Sequence, residues 1–322
     1  MRRRQALLAV AAIGAFATAT RAQNTFPNRV VKLVVPAPAG GPTDVFARQY
    51  AERLHDLLGQ PVVVENRAGA GTTLGAGVVA KALPDGYTLL FGTSSSHVTS
   101  PLMLRQAPYD PLKDFTLFVV GVVPLVLAVR PDLPAQNFQD FLKLVRGAPG
   151  KYTFGSAGPG SINHLSGELL KLRAGFDALH VPFQGTNPAQ VALMSGQIDF
   201  LFDTFGTALP QHQAGRLRIL ATLGERRSAS APGIPTTIES GVADSSAVTV
   251  NHVAMPAAVP EVIVNRLTEA TRKVMLDPRL AESLSKMGIE PVADADPARS
   301  SRFIAAEIAR WTPIIKASGV TI

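Results

Sequence analysis

Short apolar runs alternate with longer segments whose apolar residues recur every three or four positions. Val30 to Val35, Pro61 to Glu65 and Thr88 to Phe91 are runs of the kind buried in parallel sheets. Between the first two, Phe46, Tyr50, Leu54, Leu57 and Leu58 keep helical spacing, and Gly59 supplies a stop. Pro42 suits a first helical position with Gly41 as its cap, and Asp44 stands where a carboxylate accepts first-turn N–H groups. Thr73 to Leu83 predicts the next helix, closed by Pro84-Asp85-Gly86, which completes a βαβαβ unit.

The pattern restarts near Leu125. Thr153-Phe154, Ala178 to Val181, Phe200 to Phe202 and Arg218 to Ala221 read as strands, separated by helices near Ile162 to Leu172, Ala189 to Ser195 and Ala208 to Ala214. The pattern predicts an α/β protein of two doubly wound lobes. Val122 to Val129 leads from one lobe to the other and Val248 to Met255 leads back, a hinge of two crossings. The helical tail, Val262 to Leu276, Arg279 to Met287 and Ala298 to Lys316, is assigned to the first lobe. The expected division is residues 1–22 as an export signal, 23–124 and 250–322 as lobe I, and 125–249 as lobe II.

Ligands of open α/β sheets settle beyond the carboxyl ends of the strands. Two small-residue loops stand at such ends and open helices: Pro36 to Asp44, and Gly155 to His164. Thr93 to His97 and Asp203-Thr204 hold equivalent positions. Helix starts offer unpaired N–H groups and the positive end of a dipole, and glycine admits a close ligand, so the two loops predict an anion clamp.

Composition narrows the setting. Arg2-Arg3-Arg4 precede the uncharged run Ala6 to Ala19, and Thr20-Arg21-Ala22 supplies the small residues a signal peptidase inspects. The arginines leave the general and twin-arginine export routes both open. Cysteine is absent, which excludes disulfides, thiolate metal sites and a lipoprotein anchor and predicts a free periplasmic protein. The chain carries +7, and losing Arg2, Arg3, Arg4 and Arg21 with the signal leaves +3, too mild and too scattered for nucleic acid.

Competing chemistries fit poorly. Pro42-Thr43-Asp44 stand where a nucleotide loop needs Gly-Lys-Ser/Thr. Gly69 to Gly75 resembles a dinucleotide loop, but the neutral Phe91 to Ser94 supplies no acid for a ribose, so these read as structural glycines and no cofactor is expected. Ser156, Ser161, His97, His164 and Asp203 form no nucleophile elbow, and the histidines lack metal-ligand spacing, so neither catalysis nor a metal is expected. His164 is expected to pack or to bond to backbone. Asp44 and Asp203 each suit two roles, a helix cap or a contact to a ligand ammonium or hydroxyl.

The segments Pro36 to Asp44, Val64 to Gly71, Pro84 to Leu90, Tyr152 to His164, His180 to Gly185 and Gly196 to Asp203 together resemble, in order, the tripartite tricarboxylate transporter substrate-binding proteins, the Bug family. That resemblance implies a type II periplasmic binding protein, monomeric, that closes on a small organic acid and serves an inner-membrane permease. The acid is a dicarboxylate, a tricarboxylate, an amino acid or an aromatic acid. It implies a carboxylate held by backbone N–H groups, hydroxyls and water, with no cationic side chain. The implied contacts are Ala39, Gly40 and Asp44 on one wall, Thr93, Ser95 and His97 above it, and Ser156, Ala157, Ser161, Gly185 and Asp203 opposite. Two departures stand out: Ala37 where members often carry an aromatic ring, and Val250-Asn251-His252 where they carry Trp-x-Gly. A sensor module presenting its closed form to a signalling partner is the alternative, and a periplasmic hydrolase a more remote one.

Overall fold

A computed structural model describes residues 26–228 and 230–319, so the expected export signal lies outside the described residues. Strand β1 (Val31–Val35) leads into helix α1 (Pro42–Leu58), capped by Gly41 and ended by Gly59 at φ 69°, the left-handed turn glycine adopts most easily. Phe46, Tyr50, Leu54 and Leu58 form its buried stripe. Strand β2 (Val62–Asn66), a tight turn at Ala70–Thr72, helix α2 (Thr73–Ala80) and strand β3 (Thr88–Thr93) complete the first unit. A wide turn at Ser95–Thr99 and the short α3 (Ser100–Met103) lead to β4, which runs from Phe115 to Val129.

Helix α4 (Phe138–Arg146) then opens lobe II. It was not among the expected elements, although Asn137 caps it by accepting from the Asp140 N–H and Phe138, Phe141, Leu142 and Val145 form its buried stripe. Next come β5 (Thr153–Ser156), α5 (Ile162–Ala174), β6 (Leu179–Pro182), α6 (Thr186–Met194), β7 (Phe200–Thr204), α7 (Phe205–Gln213) and β8 (Arg218–Thr222). The chain returns through β9 (Val248–Pro256) and ends in α8 (Glu261–Met275), α9 (Pro278–Lys286), the two-residue β10 (Glu290–Pro291) and α10 (Pro297–Ser318).

Strand order is β2-β1-β3-β9-β4-β7-β5-β6, with β8 and β10 also paired to β4. Neighbours β2-β1-β3 and β7-β5-β6 are parallel, as right-handed helical crossovers require. Strand β4 belongs to both lobes: Phe115 to Pro124 pairs antiparallel with β9, and Leu125 to Val129 pairs antiparallel with β7. It starts well before the expected crossing at Val122, because its first half is a core strand of lobe I buried on both faces.

The tail touches lobe II as well as lobe I. Helix α8 packs against α1 in lobe I, but α10 spans the hinge: Ile314, Ala317 and Ser318 share a groove with Glu168, Lys171, Leu172 and Phe176 of lobe II. Trp311 anchors it, fully buried with its indole N–H donated to Glu307.

The interlobe cleft

The first loop is built around Asp44. Its carboxylate accepts from the Gly40 N–H at 2.9 Å, Arg48 Nε at 2.9 Å and Asn66 Nδ2 at 2.8 Å, and Asn66 also donates to the Ala37 carbonyl. Burial alone would raise the Asp44 pKa, but the bonds from Arg48, Gly40 and Asn66 outweigh it and hold the group down at about 2. Asp44 therefore reaches back to staple the loop to β2 instead of capping first-turn N–H groups as expected. Those of Thr43 and Asp44 stay free of intrahelical bonds, since the helical ladder begins with Val45 N–H to Gly41 O.

The second loop spends most of its donors on itself. Gly158 N–H bonds to Ser156 Oγ, Gly160 N–H to His164 Nδ1 at 3.1 Å, and His164 N–H to Ser161 Oγ. Ser156 is fully buried, with its Oγ 2.7 Å from His180 Nε2, and the His180 ring stacks on His164 at 3.8 Å. Burial, then His164 and Lys171, bring the His180 pKa down to about 4. Gly185 N–H closes the loop onto the Ala157 carbonyl. At the start of α5 this leaves the N–H groups of Ile162 and Asn163.

A third helix start proves more open. Asp203, fully buried at the end of β7, accepts from Thr204 N–H, from Thr207 Oγ1 at 2.7 Å and from Gln190 Nε2. Burial pushes its pKa up to about 6 against those bonds. Asp203 thus orders the first turn of α7, whose Phe205 and Gly206 N–H groups have no intrahelical partner.

His97 is also fully buried. Its Nδ1 lies 2.9 Å from His252 Nε2 and 3.1 Å from Ser96 Oγ, while His97 Nε2 and His252 Nδ1 have no hydrogen-bond partner among the described residues. Gly92 makes room for this pair, since a Cβ there would stand 2.3 Å from His252 Nε2. Gly92→Ala is expected to cost roughly 1–3 kcal/mol by overpacking, measurable by urea denaturation.

Two cavities flank the end of β3. One, of about 380 Å3, is lined by Pro42, Thr43 and Thr93 of lobe I, by Thr204, Gly206 and Thr207 of lobe II, and by Val123, Thr249, Asn251, Lys286, Met287 and Ile289. The other, of about 470 Å3, lies between Ala70 to Thr72, Ser95 and Ser100 to Leu104 on one side and Pro159 to Ser161 on the other. Thr72 there has φ 78°, strained for a β-branched residue, and its buried Oγ1 has no partner among the described residues.

Of the expected contacts, Thr93 lines the first cavity and Ser95 and Ser161 the second. Ala39, Gly40, Ala157 and Gly185 line neither, and Asp44, His97, Ser156 and Asp203 are buried and bonded to protein groups, His97 through its Nδ1 alone. Neither of these two cavities is lined by both glycine loops, and the helix start that shares the first cavity with Pro42-Thr43 is that of α7. Sequence reasoning missed Thr43, Thr207, Thr249, Asn251 and Lys286. Thr204-x-x-Thr207 after a strand-end aspartate was a readable capping signal; Lys286 carried none, and its presence overturns the expectation of a cleft without a cation.

Two α/β lobes joined through shared strands, with a hydroxyl-lined cavity at their strand ends, define the periplasmic binding protein fold. Residues 46–320 match the sequence signature described as the tripartite tricarboxylate transporter family receptor. Protein BugT of Bordetella pertussis is 36% identical over 301 residues, which cover 93% of this chain and 92% of that protein. Among solved structures, periplasmic binding protein BugD is 31% identical with a TM-score of 0.77, covering 92% of this chain and 99% of that one. MatC from Rhodopseudomonas palustris with bound malate is 31% identical with a TM-score of 0.76 (90% and 100% covered), and another R. palustris protein with adipate is 34% identical with a TM-score of 0.80 (92% and 99%). The chain belongs to the tripartite tricarboxylate transporter receptor family.

Proposed function

We propose that this chain is a periplasmic receptor that closes its lobes on a small organic carboxylate and presents it to an inner-membrane permease. Residues 1–22 direct export and are then removed, lobe I comprises 23–124 and 250–322, and lobe II comprises 125–249. The receptor acts as a monomer and leaves its ligand chemically unchanged. Relatives with adipate and malate support the ligand class.

The observation that carries the reading is the 380 Å3 cavity set between the starts of α1 and α7, one from each lobe. Free N–H groups at both ends, the hydroxyls of Thr43, Thr93, Thr204 and Thr249 and the Asn251 amide offer a carboxylate donors from both sides, so binding favours the closed arrangement. Adipate or malate at 100 times its dissociation constant is expected to add about 2.7 kcal/mol of stability, a rise of roughly 5 °C in melting temperature. The corresponding diamides are expected to give almost none. Equal shifts from acid and amide would overturn the reading.

A further inference from the structure

Three arginines and three glutamates line a further cavity of about 390 Å3, on the opposite face of the hinge strands from the cleft cavity. Side chains alternate along the paired strands β4 and β9: Val123 and Thr249 line the cleft cavity, while Val122, Pro124 and Val248 line this one. Phe303 of α10 extends their apolar wall. The volume lies within the range of about 300–1,000 Å3 usual for small-molecule pockets.

The charges are unevenly committed. Arg310 Nη2 donates to Glu307 Oε2 at 2.8 Å and the Trp311 indole donates to the same oxygen at 3.1 Å, which leaves Glu307 Oε1 without a partner among the described residues. Glu225, in the turn after β8, has no hydrogen bond or ion pair among the described residues. Burial raises the Glu307 pKa against the influence of Arg310 and Trp311, and the charge of Glu225 raises it further, so the two acids stand close enough to repel. A cation between them would relieve that repulsion. Arg299 bonds through one nitrogen to Asp294, which does not line the cavity, and 72% of its side chain is exposed, so its other donors remain open to an anion. A bare anion would meet the unpaired acid, and a bare cation the arginines.

We infer that this cavity is a second binding site, for a small zwitterion with an apolar side chain: its ammonium sits between Glu225 and Glu307, its carboxylate on Arg299, and its side chain against Phe303, Val122 and Val248. The site is independent of what the cleft binds.

Calorimetric titration of the chain lacking residues 1–22 with leucine, N-acetylleucine and leucine methyl ester tests the inference on wild type, Glu225→Gln, Arg299→Gln and, on the cleft side, Thr43→Val. Leucine is expected to bind wild type at least about tenfold more tightly than either derivative, each of which lacks one charge. Glu225→Gln is expected to weaken leucine about tenfold and to narrow its advantage over N-acetylleucine, and Arg299→Gln to do the same relative to the methyl ester. Thr43→Val is expected to leave leucine affinity within about twofold. Glu225 and Arg299 are both exposed, so their variants are expected to keep the wild-type urea midpoint. No binding of leucine at millimolar concentration, equal affinity for the three compounds, or a loss in Thr43→Val with none in Glu225→Gln would overturn the inference.

Discussion

Gly206→Ala is expected to weaken ligand binding tenfold or more without destabilising either lobe. Gly206 lies in the first turn of α7, and a Cβ built there would stand 1.9 Å from the carbonyl oxygen and 2.4 Å from the carbonyl carbon of Met287. Gly288 meets the same contact from lobe I, its own Cβ position lying 2.3 Å from the Gly206 nitrogen. Backbone touches backbone, so no side-chain rotation relieves the clash. Atoms at van der Waals separation need about 3.5 Å, and the lobes must move apart by roughly 1.5 Å to provide it. That displacement opens the 380 Å3 cavity, which Gly206 and Met287 themselves line. Within α7 the same substitution is locally favourable, since alanine exceeds glycine by about 1 kcal/mol in helix propensity. Urea denaturation is therefore expected to show unchanged or raised stability, while calorimetry shows a loss of about 1.4 kcal/mol or more in binding. Wild-type affinity in this variant would mean that the lobes do not need this contact when closed on ligand.

Acid is expected to strip stability steeply, through the buried histidine pair. Burial drives the His252 pKa down to about 3 and the His97 pKa well below its ordinary value, His252 adding to the latter effect. The unfolded chain takes up these protons near pH 6.5 and the folded chain does not, so stability is lost as pH falls below 6.5. For His252 alone the loss between pH 6.5 and 4.5 is about 2.3 kcal/mol, and His97 acts in the same direction. Asp203 works the other way: with its pKa raised to about 6 it binds a proton first in the folded state, returning about 1.8 kcal/mol over the same range. The net expectation is a loss, since His97 and His180, the latter with its pKa brought down to about 4, add to the His252 effect while Asp203 offsets only part of it. His252→Phe keeps a ring over Gly92 and removes one titration, so its urea midpoint is expected to fall much less with acid. A wild-type midpoint that stays level from pH 6.5 to 4.5 would show that the pair is hydrated or absent.

Much of the fold was legible because apolar spacing reports burial directly. Helix α1 emerges from Phe46, Tyr50, Leu54 and Leu58 with Gly59 as its stop, and β1, β2 and β3 from uninterrupted β-branched runs. What escaped depended on partners distant in sequence. Nothing local says that α10 bridges to α5, or that Gly206 meets Gly288. Helix α4 is the exception, since its cap and stripe stood in the sequence.

The site was legible as positions, less so as roles. Strand-end placement identified Thr93, Ser95 and Ser161, which do line the cleft. The same rule selected Asp44, Asp203, His97 and Ser156, which are buried and bonded to protein groups, His97 through its Nδ1 alone. In sequence, an aspartate that orders a helix start and one that faces a ligand look alike, because both stand at the same strand end. Lys286 escaped because it belongs to a tail helix that reaches the cleft only through tertiary packing.

Determining the crystal structure of the chain lacking residues 1–22 with bound adipate is the most direct test of how this cleft works. The expected density places one carboxylate between the N–H groups of Thr43 and Gly206, within hydrogen-bond distance of threonine hydroxyls from both lobes. Adipate bound instead between Ala70 to Thr72 and Pro159 to Ser161, or bound to one lobe alone, would contradict the opposed helix starts of α1 and α7 as the seat of recognition.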